Sequence, residues 1–194
     1  MRFPRLRAAA AGLAALAFLT VSAAGAMAGT GENPVFEPPL LITSPGQSPD
    51  VQLAVVLAKR AGIEYTLAKL ATARDFGGAK TLGIVVGASL KGLGAAGIDT
   101  AKEKERVKGL VAEAAKRGIP VLFLHLGGDQ RRGELTDAMV AEYLPAAKMA
   151  VIVKSADADG LFSGICKERG IPLVAVEKTA DAAEVLKGAF KPKA

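Results

Sequence analysis

His125 is the only histidine in this 194-residue chain, and with an ordinary pKa of about 6.5 it is the side chain best matched to proton transfer near neutral pH. It ends an apolar run, Val121-Leu122-Phe123-Leu124-His125, and leads into a Gly-Gly-Asp turn followed by Arg131-Arg132. Two guanidiniums there can clamp a carboxylate or phosphate through paired N–H donors. Asp129, Glu134 and Asp137 lie close enough in sequence to compete for the same charges. Three further segments carry polar side chains after apolar runs. Thr43 to Asp50 contributes Ser44, Gln47 and Ser48, and Gly87 to Gly97 contributes Ser89 and Lys91. Ser155 to Gly160 contributes Asp157 and Asp159. Ser44, Gln47, Ser48 and Ser89 are candidate hydrogen-bonding residues for a ligand. Lys91, Arg131 and Arg132 would supply charge, and His125 with Asp157 is the candidate catalytic pair.

Several sharper chemistries fit poorly. A Ser-His-Asp triad can be composed from Ser44, Ser48 or Ser89 with Asp50 or Asp157, but no G-x-S-x-G elbow is present. Asp157-Ala158-Asp159-Gly160 resembles the start of a calcium loop. Leu161 and Phe162 then occupy positions five and six, and the pattern fails, leaving helix capping as the favoured role of the aspartates. One His and one Cys are too few for a zinc site, so no metal is expected. Gly92-Leu93-Gly94-Ala95-Ala96-Gly97 spells G-x-G-x-x-G, yet it begins well after the strand, and the next strand ends without an acid for a ribose. No dinucleotide or other cofactor is expected. The segment reads instead as a flexible Gly-rich loop able to cover an anion, beside Lys91 and the helix start near Thr100.

These residues need a scaffold that brings loop ends together. Apolar runs at Leu40–Thr43, Leu82–Val86, Ile119–Leu126, Ala150–Val153 and Ile171–Val176 are near-continuous, as in parallel strands covered on both faces. Ile63–Leu67 alternates and predicts an edge strand. Between them lie amphipathic stretches starting near Asp50, Thr100, Thr136, Asp159 and Thr179. Thr100 and Glu103 have capping-box spacing, and Val107, Leu110, Val111 and Ala114 make one apolar face. Three helix ends echo one another: Arg60-Ala61-Gly62-Ile63, Arg117-Gly118-Ile119-Pro120 and Arg169-Gly170-Ile171-Pro172. A cation in the last turn, then a left-handed Gly, then a strand is α-to-β turn chemistry. The expected fold is α/β: a single doubly wound, mostly parallel sheet in a three-layer sandwich, flavodoxin-like or Rossmann-like. Its strands would deliver the polar segments to one edge, where such sheets bind ligands.

The chain opens with Arg2, Arg5 and Arg7, then an apolar run from Ala8 to about Gly25, then Ala26-Met27-Ala28. This predicts a secretion signal cleaved after Ala28 and a periplasmic or secreted protein with no stable membrane span afterwards. Residues 29–39, with three Pro and two Gly, predict a tether, and 40–190 a single domain. The first 28 residues hold three Arg and no acid, so the remainder carries 22 Lys+Arg against 19 acids, a net +3. That is too mild for a nucleic-acid partner. Cys166, the only cysteine, lies among Leu161, Phe162 and Ile165 and is expected in the core.

The segments Thr43-Ser44-Pro45-Gly46-Gln47-Ser48, Lys91 to Gly97, His125 to Arg132 and Asp157 to Gly160 together resemble an uncharacterised family of exported bacterial α/β proteins, a domain of unknown function. The resemblance spans most of residues 39–190. It implies an extracytoplasmic setting and an α/β fold, and it brings no activity. The residues themselves point first to a binding module for a small polar or anionic ligand. A hydrolase or isomerase using His125 as general acid–base is the alternative, and an interaction domain with an envelope protein partner is a third.

Overall fold

The apolar runs become six parallel strands. The computed structural model describes residues 34–192, so the leader 1–28 and the start of the tether lie outside the described residues. The strands are β1 (Leu40–Thr43), β2 (Tyr65–Leu67), β3 (Thr81–Val85), β4 (Val121–His125), β5 (Met149–Val153) and β6 (Leu173–Val176). They are ordered β2-β1-β3-β4-β5-β6 with every neighbour parallel. This is the flavodoxin-like order extended by one strand. All residues of β3, β4 and β5 are buried, which is why their sequence does not alternate. In β2, Tyr65 and Leu67 are half-buried and Thr66 is exposed, the pattern of an edge strand.

The helices are α1 (Val51–Arg60), α2 (Leu90–Ala95), α3 (Thr100–Lys116), α4 (Glu134–Tyr143), α5 (Leu161–Arg169) and α6 (Ala182–Ala189). Alternate strand residues feed two cores. Leu40, Ile42, Leu122, Leu124 and Val151 pack under α1 and α6. Leu41, Ile84, Phe123, Ala150 and Ile152 pack under α3, α4 and α5. The three Arg…Gly boundaries end α1, α3 and α5, and Gly62, Gly118 and Gly170 take φ of +69°, +67° and +65°. An L side chain rarely adopts this conformation, so glycine is the residue that can stop the helix there and turn the chain into the next strand.

Three local expectations are corrected. The Gly-rich segment is not a loose loop: Leu90–Ala95 is helical, and the Ser89 hydroxyl caps it by accepting from Gly92 N at 3.0 Å. The cap of α3 is Asp99, whose carboxylate accepts from Lys102 N at 2.7 Å, so Thr100 and Glu103 form no capping box. The described end of the 29–39 segment is docked. Phe36 is fully buried, bridges Phe190 in parallel fashion and stacks its ring 5.3 Å from that of Phe190. Burial of each ring is worth about 1.5–3 kcal/mol. Among the described residues, no helix is long and apolar enough to cross a membrane.

Candidate functional site

In this strand order the chain leaves β1 and β3 toward opposite faces, so the switch point lies between them. Here the two loops are zipped together. Gly87 N donates to Pro45 O at 3.1 Å, Ser89 N donates to Gly46 O at 2.8 Å, and Gln47 and Ala88 form an antiparallel bridge. Gly46 permits the approach: with φ +84°, a Cβ there would lie 2.6 Å from Gly87 O.

On the α3 side of the zipper lies a knot centred on Glu103, which is fully buried. Its Oε1 accepts from Gly46 N at 2.9 Å, Gln47 Nε2 at 3.0 Å and Arg106 Nη2 at 2.8 Å, and its Oε2 accepts from Arg106 Nε at 2.8 Å. Arg106 Nη1 also donates to Ala71 O at 2.8 Å and Thr43 Oγ1 at 3.2 Å. Gln47, held at φ +54°, further donates to Ser44 O and Lys69 O. Ser44, fully buried, donates to Ser48 O at 3.1 Å. Ser44 and Gln47 are therefore spent on shaping the loop and do not face a ligand. Neither Glu103 nor Arg106 was a candidate from the sequence. The available signal was that Glu103 precedes Val107 by one helical turn and so falls on the apolar stripe.

On the other side, toward β4, a second carboxylate–arginine pair is left incomplete. Asp50 precedes α1 but does not cap it. Its side chain, 9% exposed, turns instead toward the β4 loop, where Arg131 Nε lies 3.1 Å from both carboxylate oxygens. The hydrogen bond is directed to Oδ1, and Oδ2 is buried without a hydrogen-bond partner among the described residues. Arg131 is 36% exposed, and its two Nη atoms have no partner among the described residues. Ser48 Oγ accepts from Asp50 N at 3.2 Å, and its proton goes to no described residue. Bare backbone makes the approach possible: a Cβ on Gly127 would lie 2.4 Å from Asp50 Oδ2 and 2.0 Å from Arg131 Cγ. One on Gly87 would lie 3.2 Å from Ser48 Cβ.

The remaining candidates serve the scaffold. His125 is fully buried, with Nδ1 3.0 Å from Val86 O and Nε2 3.0 Å from Gly128 O. A neutral imidazole donates to one of these carbonyls and turns an unprotonated nitrogen to the other, and an imidazolium donates to both; in each case both nitrogens face main-chain oxygens and no ring atom faces solvent. The expected general acid–base is thus a strut between the β3 and β4 loops. Arg132 is saturated: Nε meets Asp137 Oδ1 at 2.6 Å, Nη2 meets Asp159 Oδ2 at 2.8 Å, Nη1 also donates to Ala156 O, and the guanidinium lies 5.5 Å over the Phe162 ring. These bonds push the Arg132 pKa up, hold Asp159 down at about 2 and lower Asp137. Asp157 caps α5, accepting from Phe162 N at 2.8 Å and Ser163 N at 3.2 Å. It is not paired with His125. Cys166 is buried, and that burial pushes its thiol up to about 11. Lys91 is exposed on α2. Among the described residues, no three His, Cys, Asp or Glu side chains converge as metal ligands would.

The wider depressions lie elsewhere. A groove of about 480 Å³ at the opposite edge of the sheet is lined by Val111, Ala115, Ile119, Pro120 and Ala147, with Lys148 as its one charged side chain. It has volume but no converging polar groups, whereas Asp50 and Arg131 bring polar groups together at the strand ends. Orientation and specificity come from such groups, so this pair is the candidate site.

A six-stranded parallel sheet of this order, covered on both faces, defines a doubly wound α/β protein. Residues 37–190 match the family described as Domain of unknown function (DUF6305), and the chain belongs to that family. No curated protein matches the chain. Solved structures of the esterase AlinE4, described as an SGNH-hydrolase family esterase, align at 11% identity over 77% of this chain and 79% of theirs, with a TM-score of 0.29. A mutant of the same esterase aligns at 11% identity over 84% and 85%, with a TM-score of 0.28. Superpositions this loose carry no residue-to-residue correspondence.

Proposed function

We propose that this protein is an exported binding module for a small anionic ligand, held at the carboxyl edge of the sheet with Arg131 as its anchor. One observation carries the reading: a half-exposed guanidinium with unpartnered outer nitrogens stands at the strand ends beside a buried carboxylate oxygen that also lacks a partner. Every guanidinium nitrogen of Arg132 and of Arg106 is already bonded, so neither competes for the role. An arginine with free Nη atoms offers a carboxylate or phosphate two parallel donors. His125 is fully buried with both ring nitrogens against main-chain carbonyls, which favours the binding reading over one with His125 as general acid–base. Export rests on the three-arginine leader and the Ala-Met-Ala ending at residue 28.

Thermal unfolding in graded inorganic phosphate and small carboxylates tests the binding at constant ionic strength. The midpoint should rise with at least one anion class, as for any ligand that binds only the folded state. Arg131→Met should abolish the rise. A flat response to all of them, with Arg131→Met indistinguishable from wild type, would refute the reading. Export is tested by N-terminal sequencing of the protein recovered from the producing cell's extracytoplasmic fraction, with Gly29 the expected first residue.

A further inference from the structure

We infer that the ligand at Asp50–Arg131 carries a hydrogen-bond donor next to its anionic group, as α-hydroxy and α-amino carboxylates do; this deepens, and rests on, the anion-binding reading above. A plain anion satisfies Arg131 but approaches the carboxylate of Asp50, whose Oδ2 is already in need of a donor. A plain cation satisfies Asp50 but is repelled by Arg131. A hydroxyl or ammonium adjacent to a carboxylate meets both demands at once: the donor goes to Oδ2 and the carboxylate to the Nη atoms.

The surroundings fit a small group with this polarity. Ser48 brings one more hydroxyl, 2% exposed as a residue and bonded to Asp50 N, and a Cβ on Gly87 would lie 3.3 Å from it and 3.6 Å from Asp50 Oδ2. The backing at Gly87 and Gly127 is main chain alone, and a Cβ at Gly127 would strike both members of the pair. Asp50 stands where it could cap α1, yet it makes no such bond. Arg131 is 36% exposed, so its guanidinium is reachable from solvent while it contacts the Asp50 carboxylate.

The test titrates the full-length chain with L-lactate, L-alanine and propionate, three molecules of similar size, followed by two-dimensional amide NMR so that millimolar affinities are measurable. Lactate or alanine should bind about tenfold more tightly than propionate, the value of one charge-assisted hydrogen bond. Asp50→Asn should shrink that gap to less than about threefold, while Arg131→Met removes binding of all three. Propionate binding as tightly as the other two, or a gap that Asp50→Asn leaves intact, overturns this inference and leaves the anion-binding reading standing. Failure of all three and of inorganic phosphate overturns both. The comparison of probes on the wild-type chain decides the matter if Asp50→Asn does not fold.

Discussion

Two carboxylate–arginine pairs flank the same loop, and they are finished to different degrees. Glu103–Arg106 lies on the α3 side, with the Glu103 side chain unexposed and Arg106 10% exposed, and both carboxylate oxygens are filled by donors. Asp50–Arg131 lies on the β4 side, with one oxygen orphaned and two guanidinium nitrogens unused. The first pair does what a buried ion pair can do for a fold: it ties α3, the β1 loop and the Ala71 turn into one arrangement. The second leaves its bonding capacity open at the strand ends. The first pair is saturated and the second, between the β1 and β4 loops, is not, and the binding proposal rests on that difference.

Mutations should separate the two pairs. The largest effect is expected for Glu103→Ala, which strands Arg106, Gly46 N and the Gln47 amide together. A loss of about 3–5 kcal/mol in urea unfolding is the outcome for a broken buried pair. Gly127→Ala comes next, because its Cβ must displace Arg131 or Asp50. It should cost about 1–3 kcal/mol and weaken anion binding, which would link that glycine to the site rather than to the sheet alone. His125→Leu should cost a similar ~1–3 kcal/mol, since a buried carbonyl, Val86 O or Gly128 O, loses its donor, with anion binding retained at temperatures where the variant is folded. Asp50→Asn should change stability by less than about 1 kcal/mol, as expected of a residue poorly optimised for the free protein. A loss as large as that of Glu103→Ala would erase the contrast between the pairs.

The smallest effect is set by acid. Asp159 titrates at about 2 against an ordinary 3.8 because of its bonds to Arg132, and Asp137 is lowered by the same guanidinium. A carboxyl lowered on folding stabilises above its ordinary value, and that contribution fades as pH falls through the folded one. The urea midpoint should therefore drop between about pH 4 and pH 2, and Arg132→Met should flatten that part of the profile.

Sequence reading recovered the frame better than the site, and particular residues show why. Gly62, Gly118 and Gly170 each follow a cation and precede an apolar run, so a local rule exposes three helix ends at once. The alternation at Tyr65, Thr66 and Leu67 exposes the edge strand for the same reason. The Gly-rich segment misleads because Ser89 caps a helix that its glycines disfavour, and Ser89 is itself fixed by its main-chain bond to Gly46 O in the β1 loop. Thr100 and Glu103 mislead because a capping-box spacing coincides with a true cap one residue earlier, at Asp99. The pairing of Asp50 with Arg131 spans 81 residues, and no local pattern encodes it. Asp157 takes the capping role that its sequence favours, whereas for His125 and Arg132 position alone suggests chemistry, and burial and bonding capacity, which a linear chain does not display, assign them to the scaffold.

The clasp between Phe36 and Phe190 has a practical corollary. It brings the two ends of the described domain side by side at the edge of the sheet away from Arg131. A fusion partner or surface attachment joined at either end would leave from that side, so an immobilised domain would present Asp50 and Arg131 to solution. The same adjacency makes the pair of ends a natural seam for circular permutation, with a short peptide joining them and new ends cut in an exposed turn such as Gly77-Gly78.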